Sequence, residues 1–220
     1  MTAVELDGFA TTYYRHSRPE LVARAIASLG SSGFLKDREV VFTAFFAKIF
    51  ADNPIQIEEW QKLIDQQDKR TRKVLERALQ LSRTGDILST PDPEIELIGR
   101  CWGAFLASGD TTYLRKLIDQ LRLIDNRFRL LYTTGAQAMV CLALHANEHP
   151  LVRSTLETAR SEVDPRTREL IDDLLTKDLS AIKHQVGEAY SDGPVSGSYP
   201  PNTGERDLHP PAPYENRLGR

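Results

Sequence analysis

The sequence predicts an all-α fold, an irregular stack of about ten helices in antiparallel pairs, helical-repeat-like or an orthogonal bundle. Three observations predict it. Up to residue 186 the apolar residues recur at intervals of three and four, the spacing of a helix face. Stretches of strict alternation bounded by hairpin turns are nearly lacking, which argues against a sheet. Capping residues, glycines and prolines cut the chain into pieces of helix length.

Taken in order, Leu6, Phe9, Tyr13 and Tyr14 mark a first helix near the start. Ser17 with Glu20 three residues on reads as a capping box, and Gly30 as the stop of a second helix over 19–29. Asp37 reads as the cap of a third, over 38–52. Its Val40, Val41, Phe42, Phe45, Phe46, Ile49 and Phe50 leave little polar face, so it belongs at the centre. Asn53-Pro54 reads as cap and first position of a fourth helix whose single stripe is Ile57, Trp60, Leu63 and Ile64. A fifth runs over 69–84 and stops at Gly85.

Asp92-Pro93 restarts the chain for a sixth helix on Leu97, Ile98, Cys101, Trp102, Phe105 and Leu106, which ends at Gly109. Asp110 caps a seventh on Leu114, Leu117, Ile118 and Leu121, and Asn126 opens an eighth, apolar from Phe128 to Ala143. His149-Pro150 breaks that helix because a residue before proline is pushed out of the helical region. A ninth follows on Leu151, Val152, Leu156 and Ala159, and Asp164-Pro165 starts a tenth on Leu170, Ile171, Leu174 and Leu175.

The 220 residues suit one helical domain, over 1–186, followed by a tail over 187–220. Six of the twelve prolines and five of the thirteen glycines fall in that tail, where apolar residues stand singly, so disorder is expected. Its Pro210-Pro211-Ala212-Pro213 fits the minimal polyproline-recognition pattern, which arises by chance in any such tail. With 28 basic against 31 acidic residues the formal charge is −3, so no electrostatic excess marks a nucleic-acid or anionic-lipid binder. The longest apolar stretch, 40–50, is too short for a membrane span. The first residues lack the basic and apolar regions of a secretory signal, so a cytoplasmic location is expected. Cys101 and Cys141 sit in apolar, helix-like surroundings and read as inert core thiols.

Three junctions, at 50–54, 106–110 and 145–150, share one pattern in which an apolar helix ends after an alanine in a polar turn and a one-sided helix follows. Buried and half-exposed helices therefore alternate, as in stacked helix pairs. The spacing between the junction alanines is uneven, so no regular array is expected. The stretches from Trp102 to Asp110 and from Ala143 to Pro150, with Tyr13-Tyr14 near the start, resemble a bacterial all-helical family with no assigned activity. The resemblance covers roughly residues 6–165, implies an all-helical domain and transfers no site residue.

His145, Glu148 and His149 match the H-x-x-E-H pattern of inverted zinc peptidases, in which two imidazoles at i and i+4 hold the metal and the glutamate activates a water. Pro150 displaces His149 from the helix face, and capping by Asn147 with histidines at a helix end explains the same letters. The expectation is therefore no metal and no cofactor. Gly30-Ser31-Ser32-Gly33 lacks the Lys-Ser/Thr of a phosphate loop and reads as a turn. Arg70, Arg72, Lys73 and Arg77 are the densest basic cluster and a candidate partner face. Asp65, Asp68 and Glu76 lie among them and no aromatics interleave, so a solvated helix face is the simpler reading. Trp60, Trp102 and the Phe42-Phe45-Phe46 group read as core.

No catalytic constellation converges in this sequence, which points to a non-enzymatic helical-repeat module binding a protein partner. The alternative is a helical-bundle ligand-binding protein or metal-dependent hydrolase with a site near His145 and His149.

Overall fold

Most junctions fold where the caps and breakers place them. A computed structural model describes residues 1–88 and 93–192, and the described residues form eleven α-helices with two short 3-10 turns and no strand. In chain order these are α1 (Ala3–Thr12), α2 (Pro19–Ser32), α3 (Glu39–Asp52), α4 (Ile57–Asp65), α5 (Lys69–Thr84) and α6 (Pro93–Ser108). They continue as α7 (Thr111–Gln120), α8 (Arg129–Ala146), α9 (Pro150–Ala159), α10 (Pro165–Thr176) and α11 (Leu179–Asp192). The all-α reading holds. The expected caps Asp110 and Asp164 accept hydrogen bonds from the first backbone amides of α7 and α10. Gly85 and Gly109 close α5 and α6 in the left-handed region.

Other junctions differ. The Ser17–Glu20 capping box does not form, since the cap position of α2 is Arg18 and no side chain caps it. A capping box forms instead at Thr2 and Glu5, where Glu5 Oε2 accepts from Thr2 N at 2.6 Å. Gly30 does not stop α2, and residues 30–33 are no free turn; the helix runs on to Ser32 and Gly33 takes the left-handed cap at φ 62°. Gly30 serves a close approach, because a Cβ there would lie 2.7 Å from Asp68 Oδ2 at the start of α5. Asp37 does not cap α3 but sits at φ 61° in the 33–38 link, held between buried Phe34 and Leu35 and the helix. Asn53 spends its side chain on Ile49 O, so a 3-10 turn over Pro54–Gln56 precedes α4. Asn126 folds onto the Phe128 amide, and α8 begins only at Arg129.

The eleventh helix runs beyond the expected domain end at 186. Asp178 caps it through the Ala181 amide, and Ile182 is buried on α8. Its stripe Leu179, Ile182, Val186 was visible in the sequence. Asp92 and the tail beyond Asp192, with Pro210–Pro213, lie outside the described residues.

Helix α3 is the hub, as its missing polar face requires, and packs most extensively against α6 and α5. Phe34, Phe42, Phe45, Phe46, Phe50 and Trp60 form a continuous aromatic chain with centroids 4.8–6.2 Å apart. Trp60, Trp102, Phe45 and Met139 are all buried, as the core reading expects. No single helix among the described residues is long and apolar enough to cross a membrane, and the α3–α4 pair is bent by 102°.

One charge is buried in this core. Arg100 on α6 is 4% exposed, and its guanidinium pairs with Glu96 at 2.6 Å and donates to Ile87 O at 3.3 Å. Removing one partner of a buried pair strands the other charge, which costs more than the pair contributes. Glu96→Ala is therefore expected to lower stability in urea denaturation by about 3 kcal/mol, and Arg100→Met by clearly less.

Candidate functional site

The stretches Trp102–Asp110 and Ala143–Pro150 meet in space with Tyr14. Trp102 and Phe105, one turn apart on α6, face His145 in the last turn of α8 and His149 in the linker to α9. Tyr14, in the turn after α1, closes the group from the other side. Gly109 makes room for it, since a Cβ on that glycine would lie 3.1 Å from Tyr14 Cδ2.

Proline 150 acts on the backbone as the sequence predicts. Helix α8 ends at Ala146, and His149 is extended at φ −118°, ψ 104°. The expected loss of side-chain convergence does not follow, because His149 N still donates to His145 O at 3.0 Å and the link folds back. The donor atoms of His145, Glu148 and His149 lie within 4.8 Å of one another. A helix face was one way to bring them together; a tight helix–linker corner is another.

Each side chain is held. The His145 ring stacks on Trp102 with centroids 3.9 Å apart and an interplanar angle of 15°. Its Nδ1 is buried without a hydrogen-bond partner, and Glu148 Oε2 lies 3.5 Å away, too far for a good bond. The His149 ring is edge-on to Trp102, and a 3.1 Å hydrogen bond joins its Nδ1 to Tyr14 Oη. Arg15 braces both neighbours, donating from Nε to Tyr14 Oη at 2.8 Å and from Nη2 to the Glu148 carbonyl at 2.8 Å. Burial pushes both histidines down to about 4, with His145 a further cause at His149. Both imidazoles are neutral at pH 7, with lone pairs available. Glu148, 63% exposed at its side chain, opens the corner to solvent.

Sequence reasoning found His145, Glu148 and His149 but missed Tyr14 and Arg15 as their support and placed Trp102 in the core alone.

The basic cluster on α5 divides. Arg70, Lys73 and Arg77 line a groove shared with α3 and α6, together with Glu39, Glu76 and Glu96. Arg70 pairs with Glu39 there. Arg72 turns the other way and donates to Asp65 O at 2.6 Å and Gln67 O at 3.0 Å. The four cations form no surface of single sign.

A different surface is mainly apolar. Between α8 and α11 runs a groove of about 680 Å³ lined by Tyr132, Ala136, Val140, Leu144, His145 and Val186, with Arg129 and Lys183 also in its lining. Leu144 is 45% exposed, and Leu130 and Phe128 extend the apolar surface toward the start of α8. Cys141 also lines it; burial pushes its thiol up to about 12 and that of Cys101 up to about 11, so both stay protonated at neutral pH.

Compared with known proteins, the chain matches no family model, no curated protein and no solved structure.

Proposed function

We propose that this protein is a non-enzymatic interaction module whose α8–α11 groove receives the apolar face of a partner helix. The observation that carries the reading is the outward stripe of α8. Leu130, Thr133, Gln137, Val140 and Leu144 recur at three and four residues on a helix whose opposite face is buried core. A stripe with that period is the complement of an amphipathic helix laid alongside it. Leu130 and Leu144 are both exposed on that stripe, and large hydrophobics left exposed along one helix face are the signature of a recognition surface.

The test uses two synthetic peptides of identical composition, one an amphipathic helix with a leucine stripe and one with its leucines scattered round the helix, titrated against the full chain by fluorescence anisotropy. The striped peptide should bind and the scattered one should not. Leu144→Asp, on an exposed position, should weaken binding by about tenfold or more, equivalent to ~1.4 kcal/mol. Equal binding of both peptides, or binding indifferent to Leu144→Asp, would overturn the reading.

A further inference from the structure

We infer that His145, Glu148 and His149 form a binding site for one divalent first-row metal ion, with zinc the best-matched class. Two imidazoles and one carboxylate are the donor set of open, three-ligand zinc sites, and a single bound water or ligand atom would complete the tetrahedron. Round a tetrahedral zinc with bonds of about 2.0–2.1 Å the donors stand roughly 3.3 Å apart. The present span of up to 4.8 Å needs a modest contraction. The exposed Glu148 side chain can supply much of it by rotation.

Two features go beyond the spacing of three residues. The first is the buried, unpartnered Nδ1 of His145. A desolvated ring nitrogen without a partner carries a cost that a metal bond removes. The second is the set of groups behind the donors. Tyr14 Oη engages His149 Nδ1, which leaves Nε2 as the nitrogen for a ligand, and Arg15 holds both Tyr14 and the Glu148 carbonyl. Such outer partners orient metal-bound imidazoles and set which nitrogen faces the ion. The stack on Trp102 holds the His145 ring against rotation.

His145 also lines the peptide groove, but metal binding is read without any peptide present, so the two assignments fail separately. Full-length protein is stripped with a chelator and titrated with Co²⁺ alone, read by visible absorption, and with Zn²⁺ alone, read by calorimetry and thermal melting. One equivalent should bind, with the intense visible bands of tetrahedral cobalt, and zinc should raise the melting temperature. Glu148→Gln sits on an exposed side chain and leaves the fold intact, so it separates loss of a ligand from loss of structure. It should weaken zinc by about 10–100-fold, and His145→Gln by at least as much. A wild-type chain that shows no cobalt bands and no zinc-dependent melting shift, or a Glu148→Gln chain that binds as tightly as wild type, would overturn the assignment.

Discussion

Gly103→Ala is expected to leave no cooperatively folded protein. A Cβ on Gly103 would stand 2.0 Å from Val41 O, 2.9 Å from Val41 C and 3.0 Å from Phe45 N. All three are backbone atoms of α3, so no rotamer change relieves the contact. The hub helix and its most extensive neighbour would have to separate, opening the layer that holds Phe45 and Phe105. A penalty of about 5 kcal/mol or more is comparable to the whole stability of a typical domain. Two other helical glycines calibrate the result. At Gly99 the nearest atoms belong to the side chains of Val40 and Val41, at 3.0–3.5 Å, and can yield, so alanine there should cost about 1 kcal/mol or less. At Gly8 nothing lies within 4 Å, and alanine should stabilise α1 by roughly 0.5–1 kcal/mol. Circular dichroism with urea denaturation of the three variants gives the order; a folded Gly103→Ala with wild-type stability would refute the close-packed α3–α6 arrangement.

Acid should destabilise the metal-free chain progressively as the pH falls below about 6.5. His145 and His149 have folded values pushed down to about 4, against an ordinary 6.5. Between those limits the unfolded chain binds protons that the folded chain refuses, so stability rises with pH across the window and is lost as pH falls through it. The stabilisation is complete above about pH 6.5 and amounts to about 2–3 kcal/mol per histidine. Asp68 and Asp164 are held below their usual range by hydrogen bonds from Thr71 and Thr167, so their contribution is lost only at lower pH. Urea midpoints measured in chelator at pH 7 and pH 4.5 should differ strongly. In His145→Gln/His149→Gln the difference should shrink to a fraction of its wild-type size; an unchanged slope would show that other groups govern acid stability.

The strongly apolar run of residues 40–50, interrupted by Thr43 and Lys48, placed α3 at the centre, and Asp110, Asp164, Gly85 and Pro150 set helix ends that the structure keeps. These signals are local, acting through one turn of backbone, and so they are legible in a linear string. Gly30 and Asp37 misled for the opposite reason. Gly30 is required by Asp68 approaching from another helix, and Asp37 adopts its backbone because Phe34 and Leu35 are anchored in the core.

The same division holds at the site. Sequence alone determined the residue types, the spacing of His145, Glu148 and His149, and the break before Pro150, because each is a property of neighbouring residues. Only the tertiary structure decided that the broken helix still gathers the three donors, that Trp102 and Tyr14 clamp their rings, and that the outer stripe of α8 faces a groove with α11. Those outcomes depend on side chains distant in sequence, such as Tyr14 and His149, coming into contact, and the packing of whole helices sets such contacts where local propensity cannot.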